Sequence, residues 1–375
     1  MESQRHLFDI PDDVTYLNAA YLGPRLRSVD EAGRGALERT ARPWEIAPPD
    51  FFSEAEVARE RFATLVGGDA DGVAIVPAVS YVAATAAKNL PVARGQEIVV
   101  LDEQFPSNVY EWRALAERTG ARVVTAPRPP DHDWTSAVLE RIGPNTAIVA
   151  VPNCHWTDGT VVDLVRVGEA VRGVGAALVV DATQSLGVRP LDVSAVQPDW
   201  LVAAGYKWML GPFSLGYSWV APHRRDGDPL ERNWLTRAGA EDFTGLVRYT
   251  DGFAAGARRY DMGERANFHL MPMGIAALDR MLAWGAAEIE AYIGPLTDEI
   301  ADAATALGWE VAPREHRARH MLGLRRPGGV PEKLPALLQE ANVYVSVRGD
   351  SIRVSPHVYN DAADASRLLE VLERA

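Results

Sequence analysis

The chain has 375 residues, 47% hydrophobic and 24% charged, an ordinary globular composition that excludes a disordered, collagenous or disulfide-scaffold protein. Its net charge of −13 repels an extended phosphate backbone, so nucleic acid is not an expected partner, while a local cationic pocket for a small anion stays open. The one cysteine, Cys154, rules out an intrachain disulfide and a multi-cysteine zinc site, and the eight histidines are scattered; no metal is expected.

At the N-terminus, MESQRHLFDIPDD lacks the apolar core of a secretory signal, and no apolar run approaches the ~20 residues that span a bilayer; a cytoplasmic chain with no membrane partner is expected. From Ala70 to Pro222 short apolar runs alternate with helical patterns, which signals an α/β protein with a largely parallel sheet. Seven buried strands are predicted: Val73–Val76, Glu97–Leu101, Arg122–Thr125, Ala147–Val151, Ala177–Asp181, Trp200–Ala203 and Leu215–Val220. Helices are predicted at Ser80–Asn89, at Ser107–Thr119 and at Leu164–Val174, where Leu164, Val167, Val171 and Val174 share a face. Beyond about residue 265 the spacing predicts one long helix over Met273–Ile293. A short α+β pattern follows, with strands at Trp309–Val311, Met321–Leu324, Val343–Val347 and Ser351–Val354 and helices at Glu332–Glu340 and Asp361–Glu373. Arg348-Gly349-Asp350 reads as the turn of a hairpin joining the last two strands. The division expected is a large domain over 30–265 and a smaller one made from 1–29 with 266–375.

Three features carry chemistry. Asp181-Ala-Thr-Gln184 closes the apolar run AALVVD, placing an acid at the C-terminal end of a buried parallel strand, where open α/β sheets bind ligands. The alternative, read alone, is an N-cap for a following helix. Lys207 follows 26 residues later in Ala-Ala-Gly-Tyr-Lys-Trp-Met-Leu-Gly-Pro, among small and apolar neighbours. Burial there lowers an ammonium's pKa, which is what a Schiff-base lysine needs; the alternative is a lysine snorkelling from a strand end. The turn Pro77-Ala78-Val79-Ser80 leads from a strand into an Ala-rich helix, whose free N–H groups suit an anion. Together a strand-end Asp, a Gln three residues on, a buried Lys and a phosphate-sized turn form one device suited to pyridoxal phosphate.

With these motifs the chain resembles a fold-type I pyridoxal-phosphate enzyme of the class V aminotransferase family. That family includes cysteine desulfurases, kynureninases, isopenicillin-N epimerase-like proteins and a C–S lyase of ergothioneine biosynthesis. The resemblance runs from Tyr16-Leu-Asn-Ala-Ala20 to Ile352-Arg-Val-Ser-Pro-His-Val-Tyr-Asn360. It implies a large domain with a mainly parallel seven-stranded sheet, a smaller α+β domain and pyridoxal 5'-phosphate as cofactor. By position, Lys207 resembles the lysine that holds the cofactor as an aldimine, Asp181 the partner of the pyridine nitrogen, and Gln184 the residue bonding the ring hydroxyl. Val79, Ser80 and Tyr206 fall at phosphate-binding positions, and Phe105 falls where a ring stacks on the cofactor. Arg353 resembles the arginine that binds the substrate α-carboxylate, with Arg348 a second candidate. Trp156 and Asn18 are expected on the substrate side; Asn153 is a further candidate, and His155 is either core or site. The stretch Arg259–Phe268 resembles a motif that reaches the partner's phosphate across a homodimer, but Glu264 replaces its Thr, which leaves that contact to Arg265 or Asn267 if it is made.

The expected substrate is an amino acid. Desulfurases of this family need a cysteine shortly before the carboxylate-binding arginine, and Ser346–Ser351 has none, so Cys154 reads as core and persulfide formation is not expected. The first expectation is therefore a C–S or other β-lyase without a catalytic cysteine. The alternative is an aminotransferase or an amino-acid epimerase, and the intact Lys207/Asp181/Gln184 set argues against a non-catalytic protein that keeps the fold.

Overall fold

The computed structural model describes all 375 residues. After a short strand β1 (Thr15–Tyr16), two helices the apolar spacing did not announce, α1 (Arg27–Thr40) and α2 (Ser53–Val66), precede the sheet. The seven predicted strands form within one residue or so of their expected bounds: β2 (Val73–Val76), β3 (Glu97–Leu101), β4 (Arg122–Ala126), β5 (Thr146–Pro152), β6 (Ala177–Asp181), β7 (Trp200–Ala204) and β8 (Gly216–Val220). Between them run α3 (Val79–Asn89), α4 (Tyr110–Thr119), α5 (Trp134–Leu139), α6 (Leu164–Gly173) and α7 (Val193–Val196). The predicted helix over Ser107–Thr119 is shorter, because Pro106–Asn108 makes a 3₁₀ turn first.

The sheet order is β2–β8–β7–β6–β5–β3–β4. β4, β3, β5, β6 and β7 are mutually parallel, and β8 is reversed between β7 and β2. β5, β6 and β7 are buried at every residue, which is why they read as unbroken apolar runs rather than alternating ones. Parallel strands joined by helical crossovers put helices on both faces. One face builds a core of 52 buried residues that includes α1 and α2 side chains, and the other a core of 24 that includes α3 and α4.

The rest of the chain is α8 (Leu270–Trp284), α9 (Ala286–Ala306), β9 (Leu322–Arg325), α10 (Leu334–Glu340), β10 (Val343–Tyr344), β11 (Ser346–Arg348), β12 (Ser351–Val354) and α11 (Ala362–Arg374). Three expectations need correction. The single helix over Met273–Ile293 is two, broken at Gly285, whose φ of +78° is left-handed. Apolar spacing ran through the break because Leu278 and Met281 before it and Ile289 and Ile293 after it enter the same core. Val343–Val347 is likewise two strands in different sheets: β10 pairs in parallel with β1, and β11 pairs with β12. Trp309–Val311 is not a strand, only a single bridge from Glu310 to Arg325. The β11–β12 hairpin forms as expected, with Arg348 opposite Ser351 and Gly349 at φ +60° supplying the turn. A third core of 17 residues joins Leu17 to residues between Leu296 and Leu372, whereas α8 packs on α1 and α2. No helix is long and apolar enough to cross a membrane.

Candidate active site

A cavity of about 340 Å³ opens at the edge of the sheet where β2, β3, β5, β6 and β7 end. Its walls are strand termini. Pro77, Ala78 and Val79 follow β2; Gln104, Phe105 and Ser107 follow β3; Pro152, Cys154 and Trp156 close β5. Asp181, Thr183 and Gln184 end β6, Ala204, Tyr206 and Lys207 end β7, and Phe213 and Ser214 lead into the reversed β8. Loops from neighbouring strands converge here because the strands point the same way, as in open α/β sheets generally.

Lys207 is 7% exposed and makes no salt bridge. Burial lowers its pKa to about 8; the nearby Asp181 carboxylate works against the shift, and the Arg353 and Arg348 guanidiniums work with it. The Nζ lies 5.4 Å from the centre of the Phe105 ring and 5.7 Å from that of Tyr206. The N-terminal segment backs this loop: the Gly23 N–H donates to the Tyr206 carbonyl at 2.9 Å, and a Cβ at Gly23 would sit 2.2 Å from the Lys207 carbonyl oxygen, so only glycine fits.

The reading of Asp181 as a helix cap fails, because no helix starts there; the next one, α7, is capped by Asp192. Asp181 Oδ1 accepts from the Thr183 N–H at 3.0 Å, and burial raises the carboxyl's pKa. Gln184 is held on both sides of its amide. Its Oε1 accepts from the Trp208 indole N–H at 3.0 Å, and its Nε2 donates to the Ala20 carbonyl at 3.3 Å. An indole only donates, so the amide orientation is fixed by chemistry and its second N–H is left free. Trp208 is itself set between His320, edge-on at 4.5 Å, and His357, stacked at 5.8 Å.

Trp156 donates its indole N–H to the Glu103 carbonyl at 2.7 Å and meets Phe105 edge-on at 5.4 Å, so these two rings form one wall. Arg353 reaches that wall through Trp156, whose carbonyl accepts from Nη1 at 2.7 Å. Arg353 is 1% exposed, yet its Nε and Nη2 have no partner. Val79 lies in the wall as the first residue of α3, whose N-cap, Ala78, offers no capping side chain.

Not every predicted residue is brought in. Ser80 is exposed and outside the wall. Asn18 also lies outside it, where Oδ1 accepts from the Ser346 hydroxyl at 2.8 Å. Asn153 bonds Ser185 at 2.6 Å, and His155 is fully buried, stacked on Trp134 with Nε2 at the Asp102 carbonyl, so His155 is core. Arg265 turns inward to Asp261 at 2.7 Å, and Asn267 Oδ1 accepts from the Leu270 N–H at the start of α8. Sequence reasoning missed Thr183 and Trp208, and it read Cys154 as core alone although its side lines the cavity. The Trp208 signal was its place beside Lys207; nothing in the sequence shows that its indole reaches back to Gln184.

The family model described as aminotransferase class-V matches residues 49–368. An uncharacterized aminotransferase, YcbU, of Bacillus subtilis (strain 168) is 28% identical over 321 residues, covering 83% of this chain and 81% of its own. Isopenicillin N epimerase of Streptomyces clavuligerus is 25% identical over 380 residues, covering 96% and 94%. Among solved structures, the cystine C-S lyase C-DES in complex with cysteine persulfide superposes with a TM-score of 0.86 at 20% identity, covering 96% of this chain and 98% of that one. The cysteine desulfurase CsdA from Escherichia coli gives 0.83 at 20% identity, covering 99% and 96%.

Proposed function

The chain belongs to the aminotransferase class-V family, and from that premise we propose that it is a lyase that expels a group from the side chain of an amino acid without an enzyme thiol. Its cofactor is pyridoxal 5'-phosphate. The residues present fit that group: a buried amine with no ion pair at Lys207, a buried carboxylate at Asp181, and an uncapped helix N-terminus at Val79 for the phosphate. When bound, the cofactor supplies an aldehyde carbon for Lys207 and an electron-withdrawing ring that weakens the bonds at Cα.

Each residue then has a task set by its surroundings. Asp181, buried and protonated more readily than usual, is suited to hold a proton shared with the ring nitrogen. Gln184 offers its free amide N–H to the ring hydroxyl, and Trp208 keeps that amide from turning. Arg353 binds the α-carboxylate through Nε and Nη2, which form one edge of the guanidinium and match a carboxylate's two oxygens. Lys207 takes the Cα proton and returns it to the departing group.

The proton inventory of the cavity carries this reading. Of its ionisable walls, Lys207 is brought down to about 8 by burial and Asp181 is raised but committed to the ring nitrogen, while burial pushes Tyr206 up and Cys154 up to about 12; Lys207 is therefore the base left for Cα. Phe105 brings no proton at all. One base serves elimination, whereas epimerisation needs a donor on the opposite face. The names of the two relatives favour a second reading, an aminotransferase or epimerase in the same pocket. One assay separates these. Release of ammonia and a 2-oxo acid with no acceptor present is expected of the lyase. Stoichiometric amination of the cofactor, or solvent hydrogen entering Cα with no net product, would replace it with the second reading.

We also propose a cytosolic homodimer. Trp44, Val247 and Tyr249, at least 79% exposed, project from two loop regions joined by Phe51–Trp234 and Phe51–Phe243 contacts, and pairing would cover them. Arg265 is committed to Asp261, so a contact of Arg265 with the partner's phosphate is not part of this proposal. Sedimentation of the holoenzyme as a monomer at micromolar concentration would exclude the dimer.

A further inference from the structure

The β11–β12 hairpin carries two arginines on one face. Ser346 stands opposite Arg353, and Arg348 lies two residues beyond Ser346, so side chains 346, 348 and 353 share a side. That side turns toward the cavity wall: Arg353 bonds the Trp156 carbonyl, and the Arg348 guanidinium lies 5.8 Å from the centre of the Trp156 ring. Neither arginine makes a salt bridge. The one carboxylate in the turn, Asp350, is taken by Arg325 at 3.2 Å. Arg348 is half-buried, and its single bond is from Nη1 to the neighbouring Val347 carbonyl at 2.8 Å. Two like charges on one short hairpin repel, and with burial the larger cause Arg348 lowers Arg353's pKa to about 9. A substrate with a single carboxylate satisfies Arg353 and leaves Arg348 unmatched.

We propose that Arg348 receives a second anionic group, at the far end of the substrate's side chain, so that the amino acid this enzyme selects ends in a distal carboxylate. The inference rests on the amino-acid reading above. Trp156 separates the two charges, with its carbonyl at Arg353 and its ring beneath Arg348. A substrate lying along that wall would put its α-carboxylate at one guanidinium and its distal carboxylate at the other. Arg348 is then a specificity residue: it sorts amino acids by charge and takes no part in bond breaking.

The test is spectral titration of the holoenzyme with isosteric pairs, L-glutamate against L-glutamine and L-aspartate against L-asparagine, with L-2-aminoadipate as a longer acid. In the wild type at least one acid is expected to bind about tenfold or more tighter than its uncharged partner. Arg348→Gln should bring that ratio to about one by weakening the acid alone, and Arg348→Lys should restore part of it. Arg353→Gln should weaken both members of a pair alike. Equal binding of acid and amide by the wild type, or equal weakening of both by Arg348→Gln, overturns the proposal. A holoenzyme that keeps its cofactor absorbance but answers to no amino acid overturns the amino-acid reading itself and takes this inference with it.

Discussion

Beside β2, Arg59, Asp261 and Arg265 are at most 2% exposed and close on one another. Asp261 accepts from both arginines and from the Ile75 N–H, and Arg59 also reaches the Val73 carbonyl. Lys207, in the cavity wall, and Arg353, outside the lining but bonded to the Trp156 carbonyl of that wall, are almost as buried, but neither has an ion-pair partner and two Arg353 nitrogens have no partner of any kind. A buried charge costs several kcal/mol unless it is paired and hydrogen-bonded. The paired set ties residues 59 and 261 to the first strand of the sheet and is scaffold. The unpaired set has its cost unmet by the chain, and a ligand bringing a phosphate, a carbonyl carbon and carboxylates would meet it. Burial alone therefore does not separate scaffold from site; the missing counter-charge does.

The largest effect that tests this contrast is at Lys207. Lys207→Ala should abolish the visible absorbance of the bound cofactor and lower turnover by more than about 10³-fold, with the fold intact. An unchanged spectrum would remove Lys207 from the site. The scaffold set should respond in stability instead. Asp261→Asn leaves the buried Arg265 without a carboxylate and Arg59 with Glu56 alone, and should cost about 3–5 kcal/mol in denaturant unfolding. A loss below 1 kcal/mol would show that water or a rearranged partner already meets those charges.

The unpaired amine also sets a pH dependence with a definite sign. An ordinary lysine titrates at 10.5 and Lys207 at about 8. Below pH 8 the folded, cofactor-free chain bears the full cost of a buried ammonium. Between 8 and 10.5 it has released the proton that the unfolded chain keeps, so stability rises with pH; above 10.5 neither state is charged and the cost is gone. The span is about 3 kcal/mol. It is read above pH 8 as the difference in unfolding free energy between cofactor-free wild type and Lys207→Met, in which groups that do not feel Lys207 cancel; Asp181, which does, is checked with the same pair in an Asp181→Asn background. A difference that stays flat with pH means Lys207 is solvated.

Arg353→Met sharpens the contrast from the other side. It should weaken amino-acid binding about ten- to a hundredfold while leaving the cofactor-free chain as stable as before or more so, because it removes a buried charge that nothing pairs. A stability loss like that of Asp261→Asn would place Arg353 with the scaffold.

The site was legible where chemistry interrupts a pattern. Asp181 and Lys207 stand out because each ends or follows a run of buried apolar residues, and such runs announce strands on their own. Strand direction left no such mark: β8 reads like its neighbours although it runs against them. Nor did β1, two residues long, whose partner lies more than 300 positions away. The break at Gly285 was hidden because both flanking helices bury the same face in one core. Ser80 and Asn18 were placed by position in a motif, and position does not say which way a side chain turns. Ser80 is exposed and outside the cavity wall, while Asn18 is used by Ser346. The unpaired edge of Arg353 was equally invisible, since it depends on what fails to approach.

The smallest expected effect bears on the reaction itself. Cys154 lines the cavity, so a thiol is present beside the proposed chemistry. It is nonetheless fully buried, and burial pushes its pKa up to about 12. At pH 7 it is then held almost wholly as the thiol, the less reactive form. Cys154→Ala removes one small buried atom, so it should cost about 1 kcal/mol of stability and change turnover by less than about threefold. If turnover drops a hundredfold while the cofactor spectrum and thermal midpoint hold, the thiol takes part, and elimination without one is the wrong chemistry for this cavity.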